Sequence, residues 1–167
     1  AGYGTRTSIG TNAVSITNDK ARDLVVAGLN SAIVSIDGDQ RSHDAIRGTD
    51  AYRRAWRGIR ALVDSGINVR VNAVAMRTTL SGLFMLADSC EQAGVTLYIR
   101  RFIPSGRVIG QVQGLLSQVE HSALWNELRG YIERGIVDGH YRPDAPSSCS
   151  AGSTGMIILP NGNVQSC

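Results

Sequence analysis

The chain has 167 residues, 43% of them hydrophobic and 19% charged, with 19 glycines and a formal net charge of +3. That length supports one well-buried core and a small appendage. No apolar run approaches the roughly 20 residues of a membrane-crossing helix, and the densest basic stretch (Arg53, Arg54, Arg57 and Arg60) reads as the solvated face of a helix, so neither a membrane nor a nucleic acid is expected as partner. The three cysteines, Cys90, Cys149 and Cys167, are an odd number, which argues against a complete disulfide framework and for a reducing, cytoplasmic setting. The chain opens on Ala1 and stops on Cys167, so both natural termini are expected to lie outside it.

Four apolar, β-branched runs predict strands at residues 6–9, 32–36, 69–75 and 96–102. Between them run helical spacings. Ala21, Leu24, Val25 and Leu29 mark the first, with Gly28 near its end. Tyr52, Ala55, Trp56, Ile59, Leu62 and Val63 mark the second, closed by Gly66. Leu83, Leu86, Ala87 and Cys90 mark the third, closed by Gly94. Cys90 falls on that apolar stripe and reads as a core residue. A last helix carries Trp125, Leu128 and Ile132 and ends near Gly135. Strands alternating with helices of this length call for parallel pairing with right-handed crossovers, in an α/β barrel or a doubly wound sheet. Beyond Gly135 the texture changes to a Pro-, Ser- and Asp-rich stretch, and Asn161-Gly162 between two short strand-like runs predicts a β-hairpin with a type I′ turn.

Working groups in parallel α/β proteins gather at the C-terminal ends of strands. Here those ends carry Thr11-Asn12 and Ser35-Ile36-Asp37-Gly38, and Asn72 interrupts the third, otherwise apolar, strand. Ser35 and Asp37, two apart, share a face of an extended strand and suit the two hydroxyls of a ribose; equally, Asp37-Gly38 can simply open a turn. Arg47, in the following loop, has the planar fork to clamp a carboxylate bidentately. His43, in the same loop, is a ligand, a proton carrier or a structural residue. Gly162 follows Cys149 after twelve residues and Cys167 follows Gly162 after four. A hairpin there would bring the two thiols closer, as ligands of one metal centre, as a disulfide or as unrelated thiols.

Taken in order, Thr11-Asn12, Ser35-Ile36-Asp37-Gly38, His43-Asp44-x-x-Arg47-Gly48, Pro104-Ser105-Gly106-Arg107 and Cys149…Gly162…Cys167 resemble radical S-adenosylmethionine (radical SAM) enzymes with a SPASM extension. The resemblance spans nearly the whole chain. It implies a partial (β/α)6 barrel entered at its third strand over residues 1–135, then a linker and the start of a SPASM iron–sulfur domain over residues 136–167.

It also implies S-adenosylmethionine bound against a [4Fe-4S] cluster. One-electron cleavage would give methionine and a 5′-deoxyadenosyl radical that abstracts a substrate hydrogen. Residue by residue, Ser35 and Asp37 match positions that hold the ribose, and Arg47 an arginine that pairs with the methionine carboxylate. Thr11 and Asn12 match a "TNG" position near the cofactor, with Ala13 in place of its glycine. The backbone at Ile103 matches the strand that packs on adenine, and Cys149 and Cys167 match the opening ligands of an auxiliary [4Fe-4S] cluster.

The family's Cys-x-x-x-Cys-x-x-Cys loop and its Gly-Gly-Glu-Pro motif do not occur in these residues, so this stretch alone is expected to be inactive and to form part of an active enzyme. The implied substrate is a peptide, a protein or a cofactor precursor, and the implied electron donor a flavodoxin or ferredoxin. Two other readings remain: a radical SAM protein with a two-cysteine twitch-type extension, or a barrel that binds without chemistry.

Overall fold

A computed structural model describes residues 4–104, 110, 112–139 and 156–165. Five parallel strands, β1 (Ser8–Thr11), β2 (Ser31–Ser35), β3 (Asn68–Ala75), β4 (Thr96–Arg101) and β5 (Val137–Gly139), lie side by side in chain order. Between them run α1 (Asn18–Val26), α2 (Gln40–Arg47), α3 (Ala51–Asp64), α4 (Gly82–Gln92), α5 (Gln118–Glu127) and α6 (Arg129–Glu133).

The register sets the two faces of the sheet. Val34, Val71, Leu97 and Val137 share one row, and Ser35, Asn72, Tyr98 and Asp138 the next. Because strand side chains alternate, the first row and its period-2 mates (Ala32, Val69, Ala73, Ala75, Ile99) face the helices. There they join one buried cluster with Ala55, Trp56, Ile59 and Leu62 of α3, Leu83, Leu86, Ala87 and Cys90 of α4, and Leu124 and Trp125 of α5. The alternate residues, from Ser31, Ile33 and Ser35 through Arg70 and Asn72 to Tyr98 and Arg100, belong to a second, mostly polar face outside that cluster. Helices therefore cover one face only and the strand order never reverses. Among the described residues this excludes a doubly wound sheet, in which the order reverses and both faces are covered.

Local chemistry explains the helix boundaries. Thr17 caps α1 and Asp39 caps α2, each side chain accepting an N–H of the first turn, and Ser117 and Glu120 cap α5 reciprocally. Gly58 and Gly82 are required by close approach: a Cβ at Gly58 would collide with the Ala13 carbonyl, and one at Gly82 with the Asp39 amide. On the outside of the helix layer Arg53, Arg54, Arg57 and Arg60 are exposed, with Arg53 paired to Asp50 at 2.7 Å.

The strands expected at residues 6–9, 32–36, 69–75 and 96–102 are present with shifted ends. The first runs to Thr11, because Gly10 and Thr11 pair with β2 although neither is apolar. The expectation of four strands is corrected by β5, which pairs with β4 and carries the sheet past Gly135. The stretch around His43, expected as a loop, is helix α2. The expected single helix ending near Gly135 is two, separated at Leu128.

Farther along, β6 (Ile157–Ile158) and β7 (Val164–Gln165) pair antiparallel as expected, but not through a type I′ turn. The Gly162 N–H donates to the Leu159 carbonyl and Gly162 alone has positive φ, at 83°. Pro160 and Asn161 are thus the centre of a type I turn followed by a left-handed glycine, because the proline ring fixes a negative φ at the first central position.

Candidate functional site

The C-terminal end of β2 runs straight into a polar cluster. After Ser35 the chain turns at Asp37-Gly38 and enters α2, which returns His43, Asp44 and Arg47 to the strand end. His43 is 1% exposed, and its Nδ1 accepts the Asp37 backbone N–H at 3.0 Å. Burial, only partly offset by the Asp37 charge, pushes its pKa down, so the ring is neutral with its proton on Nε2. That Nε2 is buried without a hydrogen-bond partner, and the ring meets Tyr52 edge-on. Asp44 turns the other way: its Oδ1 accepts the Tyr52 N–H at 2.8 Å and caps α3, a task the left-handed Asp50 leaves undone. Gly48 closes α2 at φ 97° and ψ 161°, a conformation essentially confined to glycine. His43, Asp44 and Gly48 therefore build the turn, whereas Asp37 and Arg47 are what the turn presents.

Those two are paired. Arg47 Nε donates to Asp37 Oδ2 at 2.6 Å; the carboxylate is 5% exposed and the arginine 36%. The pair uses one donor of the guanidinium, so Arg47 is oriented by Asp37 and keeps its remaining N–H groups for a ligand. Both had been expected to meet a ligand separately; instead the carboxylate also serves as the arginine's anchor, because α2 brings them together.

Neighbouring strand ends are unevenly satisfied. Ser35 and Asn72 stand side by side in the register on the polar face. The Ser35 hydroxyl has no hydrogen bond among the described residues, and Asn72 Oδ1 is buried without a partner. Asn12 Oδ1 accepts the Val14 N–H. Thr11 lies in the helix-facing row, and its Oγ1 accepts the Ala13 N–H at 3.0 Å. Ala13 itself has φ 55°, the left-handed region in which a glycine is easier to accommodate. Ile103 is exposed just beyond the end of β4. Cys90 is fully buried in the core, its thiol pushed up to about 12 by burial, and belongs to no site. Cys149 and Cys167, together with residues 105–107 of the Pro104 motif, lie outside the described residues.

Two further groups were missed by sequence reading. Ala75, Arg101, Phe102, Ser117 and His121 line a cleft of about 320 Å³ at the ends of β3 and β4, held by an Arg77–Glu120 ion pair. His121 there is kept neutral by burial and by Arg101, and its Nε2 accepts the Trp125 indole N–H. On the polar face Arg70 stacks over Tyr98 with 4.7 Å to the ring centroid, and Arg100 stands 5.5 Å from the same ring. The alternation Asn68-Val69-Arg70-Val71-Asn72 carried the signal for that face.

The fit to S-adenosylmethionine can be judged from these groups. The end of β2 carries the Ser35 hydroxyl and, just beyond it, Asp37 with the anchored Arg47 and its spare N–H groups. Such a set suits a ligand with hydroxyls and a carboxylate, and the molecule carries both.

No family model matches the chain. It is 32% identical over 126 residues to the AdoMet-dependent heme synthase of Nitratidesulfovibrio vulgaris, covering 74% of this chain and 34% of that protein. It is 29% identical over 170 residues to the mycofactocin maturase MftC of Mycobacterium tuberculosis, covering 94% and 44%. In structure it is similar to Streptococcus suis SuiB, with a TM-score of 0.74 at 18% identity over 97% of this chain and 43% of that one. SuiB also matches in crystals containing S-adenosylmethionine and in crystals containing its precursor peptide SuiA. The chain thus spans between a third and half of the length of these relatives.

Proposed function

We propose, from the premise that this chain belongs to the radical SAM family, that it forms the S-adenosylmethionine-binding wall of a peptide- or protein-modifying enzyme. The observation that carries this reading is the strand-end cluster: an Asp37–Arg47 pair fixed by His43, beyond the Ser35 hydroxyl at the end of β2. When bound, S-adenosylmethionine would supply, on one-electron reduction by a [4Fe-4S] cluster, the radical chemistry that removes a substrate hydrogen. This chain's residues bind and orient it. Ser35 and Asp37 take the ribose hydroxyls, Arg47 the methionine carboxylate, and the backbone at Ile103 flanks the adenine. Asn12 lies at the rim, and Thr11 contributes through the turn it caps. The sheet is then one side of a partial barrel whose interior is the polar face. A peptide substrate is supported by the maturase and by SuiB with its precursor peptide. Cys149 and Cys167 are read as ligands of an auxiliary [4Fe-4S] cluster in a SPASM domain, and a flavodoxin or ferredoxin as electron donor.

Calorimetry of S-adenosylmethionine binding to the reconstituted full-length enzyme tests the site. Arg47→Ala is expected to weaken binding by about 2–3 kcal/mol, since a charged partner loses its hydrogen bonds. Lysine should rescue little, because it lacks the planar fork. Unchanged affinity in the alanine variant would confine Arg47 to holding Asp37. For the cysteines, iron is measured anaerobically in full-length protein whose three-cysteine loop has been mutated. Retained iron should disappear in Cys149→Ala or Cys167→Ala, and equal iron in both would reject the auxiliary cluster.

A further inference from the structure

The polar face holds more unmet hydrogen-bonding demand than the proposed cofactor contacts use. Arg70 Nε is buried and has no acceptor, and Asn72 Oδ1, two residues along the same strand, is buried and has no donor. Their backbones are roughly 6.6 Å apart on one side of β3. Arg70 and Arg100 both approach the Tyr98 ring, which steadies two guanidinium groups through its electron-rich face without neutralising them. Neither arginine has a carboxylate partner among the described residues. A cleft of about 380 Å³ lined by Arg6, Ser31, Asn68, Arg70, Tyr98 and Asp138 opens at the Arg70 side of the Tyr98 ring, with Asp138 its one acidic residue. Buried polar groups are nearly always satisfied, and a buried guanidinium nitrogen lacking an acceptor is costly to keep.

We propose that this face binds a carboxylate of the peptide substrate, with Arg70 and Arg100 as its cations and Asn72 Oδ1 accepting a nearby peptide N–H. This rests on the reading of the chain as part of a peptide-modifying enzyme and names what the substrate must carry. The two orphaned atoms are complementary to a residue that presents an amide N–H and a carboxylate a short distance apart, as a C-terminal residue or an acidic side chain does. The planar fork of Arg70 favours a carboxylate over a single-point anion. Tyr98 positions the arginines.

Saturation-transfer NMR on the full-length enzyme loaded with S-adenosylmethionine tests this without turnover. The probes are acetyl-Ala-Ala-Ala with a free C-terminus, acetyl-Ala-Glu-Ala amide, acetyl-Ala-Ala-Ala amide and inorganic phosphate. One or both acidic peptides are expected to bind at least fivefold better than the neutral amide, and the two acidic arms show whether a terminal or a side-chain carboxylate is preferred. Arg70→Gln and the exposed Arg100→Gln should each lower that binding at least fivefold. Arg70→Lys, which keeps the charge should the glutamine variant fold poorly, should retain part of it. The dissociation constant for S-adenosylmethionine should stay within twofold in every variant. Equal binding of the neutral amide, wild-type binding in both glutamine variants, or phosphate outcompeting the acidic peptides would overturn the proposal. So would a tenfold loss of S-adenosylmethionine affinity, which would assign the arginines to the cofactor. A wild-type enzyme that does not bind S-adenosylmethionine would instead overturn the cofactor reading, and the peptide arm would still decide this one.

Discussion

The two faces of one sheet solve opposite problems. The helix-covered face is almost wholly apolar: Val34, Val71, Leu97 and Val137 line up across four strands and meet Ile59, Leu62, Leu83 and Leu86 with almost no exposed area. The other face, built from the alternate residues of the same strands, leaves Arg70 Nε and Asn72 Oδ1 without partners. A period of two is enough to separate stability from binding within a single β-strand. Stability should therefore respond to the first set, and ligand affinity to the second.

The sharpest test of that division is truncation in the covered face. Leu86→Ala should cost about 2–5 kcal/mol, because a fully buried side chain leaves a cavity that its neighbours fill only in part. Gly58→Ala should cost about 1–3 kcal/mol for the opposite reason, as the added methyl meets the Ala13 carbonyl. Urea unfolding reads both, and a loss under 1 kcal/mol at Leu86 would mean that the face is not the core. On the polar face, Asn72→Leu should leave the free energy of urea unfolding unchanged or raise it by about 1 kcal/mol, since it removes an unsatisfied buried acceptor while adding apolar surface. A loss as large as that of Leu86→Ala would erase the distinction between the faces.

The smallest effect is in the pH dependence. His43 has a folded pKa below its ordinary value of 6.5, so the unfolded chain binds more protons just below that value, and stability falls as the pH drops through it. His43→Asn should flatten part of this slope. His121, also depressed, should leave a remainder. Thermal melts between pH 7.5 and 5, on the order of a few degrees apart, would show it, and an unchanged slope in the variant would place the acid sensitivity elsewhere.

How far the sequence reveals this depends on whether a residue's surroundings are local. The four β-branched runs and the apolar stripes of α1, α3 and α4 are legible because their periodicity states which side is buried. Helix α2 is not, because Gln40-Arg41-Ser42-His43-Asp44 offers no apolar stripe; only Asp39 as a cap and Gly48 as a stop mark it. Missing α2 hid the Asp37–Arg47 pair, which exists only because that helix returns ten residues later to the strand end. Strand β5 is three residues long, too short for any period, and is defined by pairing with β4. Asn72 stood out as a polar residue in an apolar strand, but that its oxygen lacks a donor depends on neighbours far along the chain.

The sequential strand order has a consequence for how the chain comes into being. Each strand pairs with the one synthesised just before it, and each crossover places its helix on the same side. No strand must wait for one made after its next neighbour, but each pairing closes a long loop, from Ser8 to Ser31 at the shortest and Leu97 to Val137 at the longest, so each step is slow compared with forming a hairpin. On the ribosome, with the N-terminal end emerging first, the sheet can lengthen by one βα unit at a time. β1 and β2 would already be paired by the time α3 leaves the tunnel, and the strand end bearing Asp37 would take its final form as soon as α2 has followed.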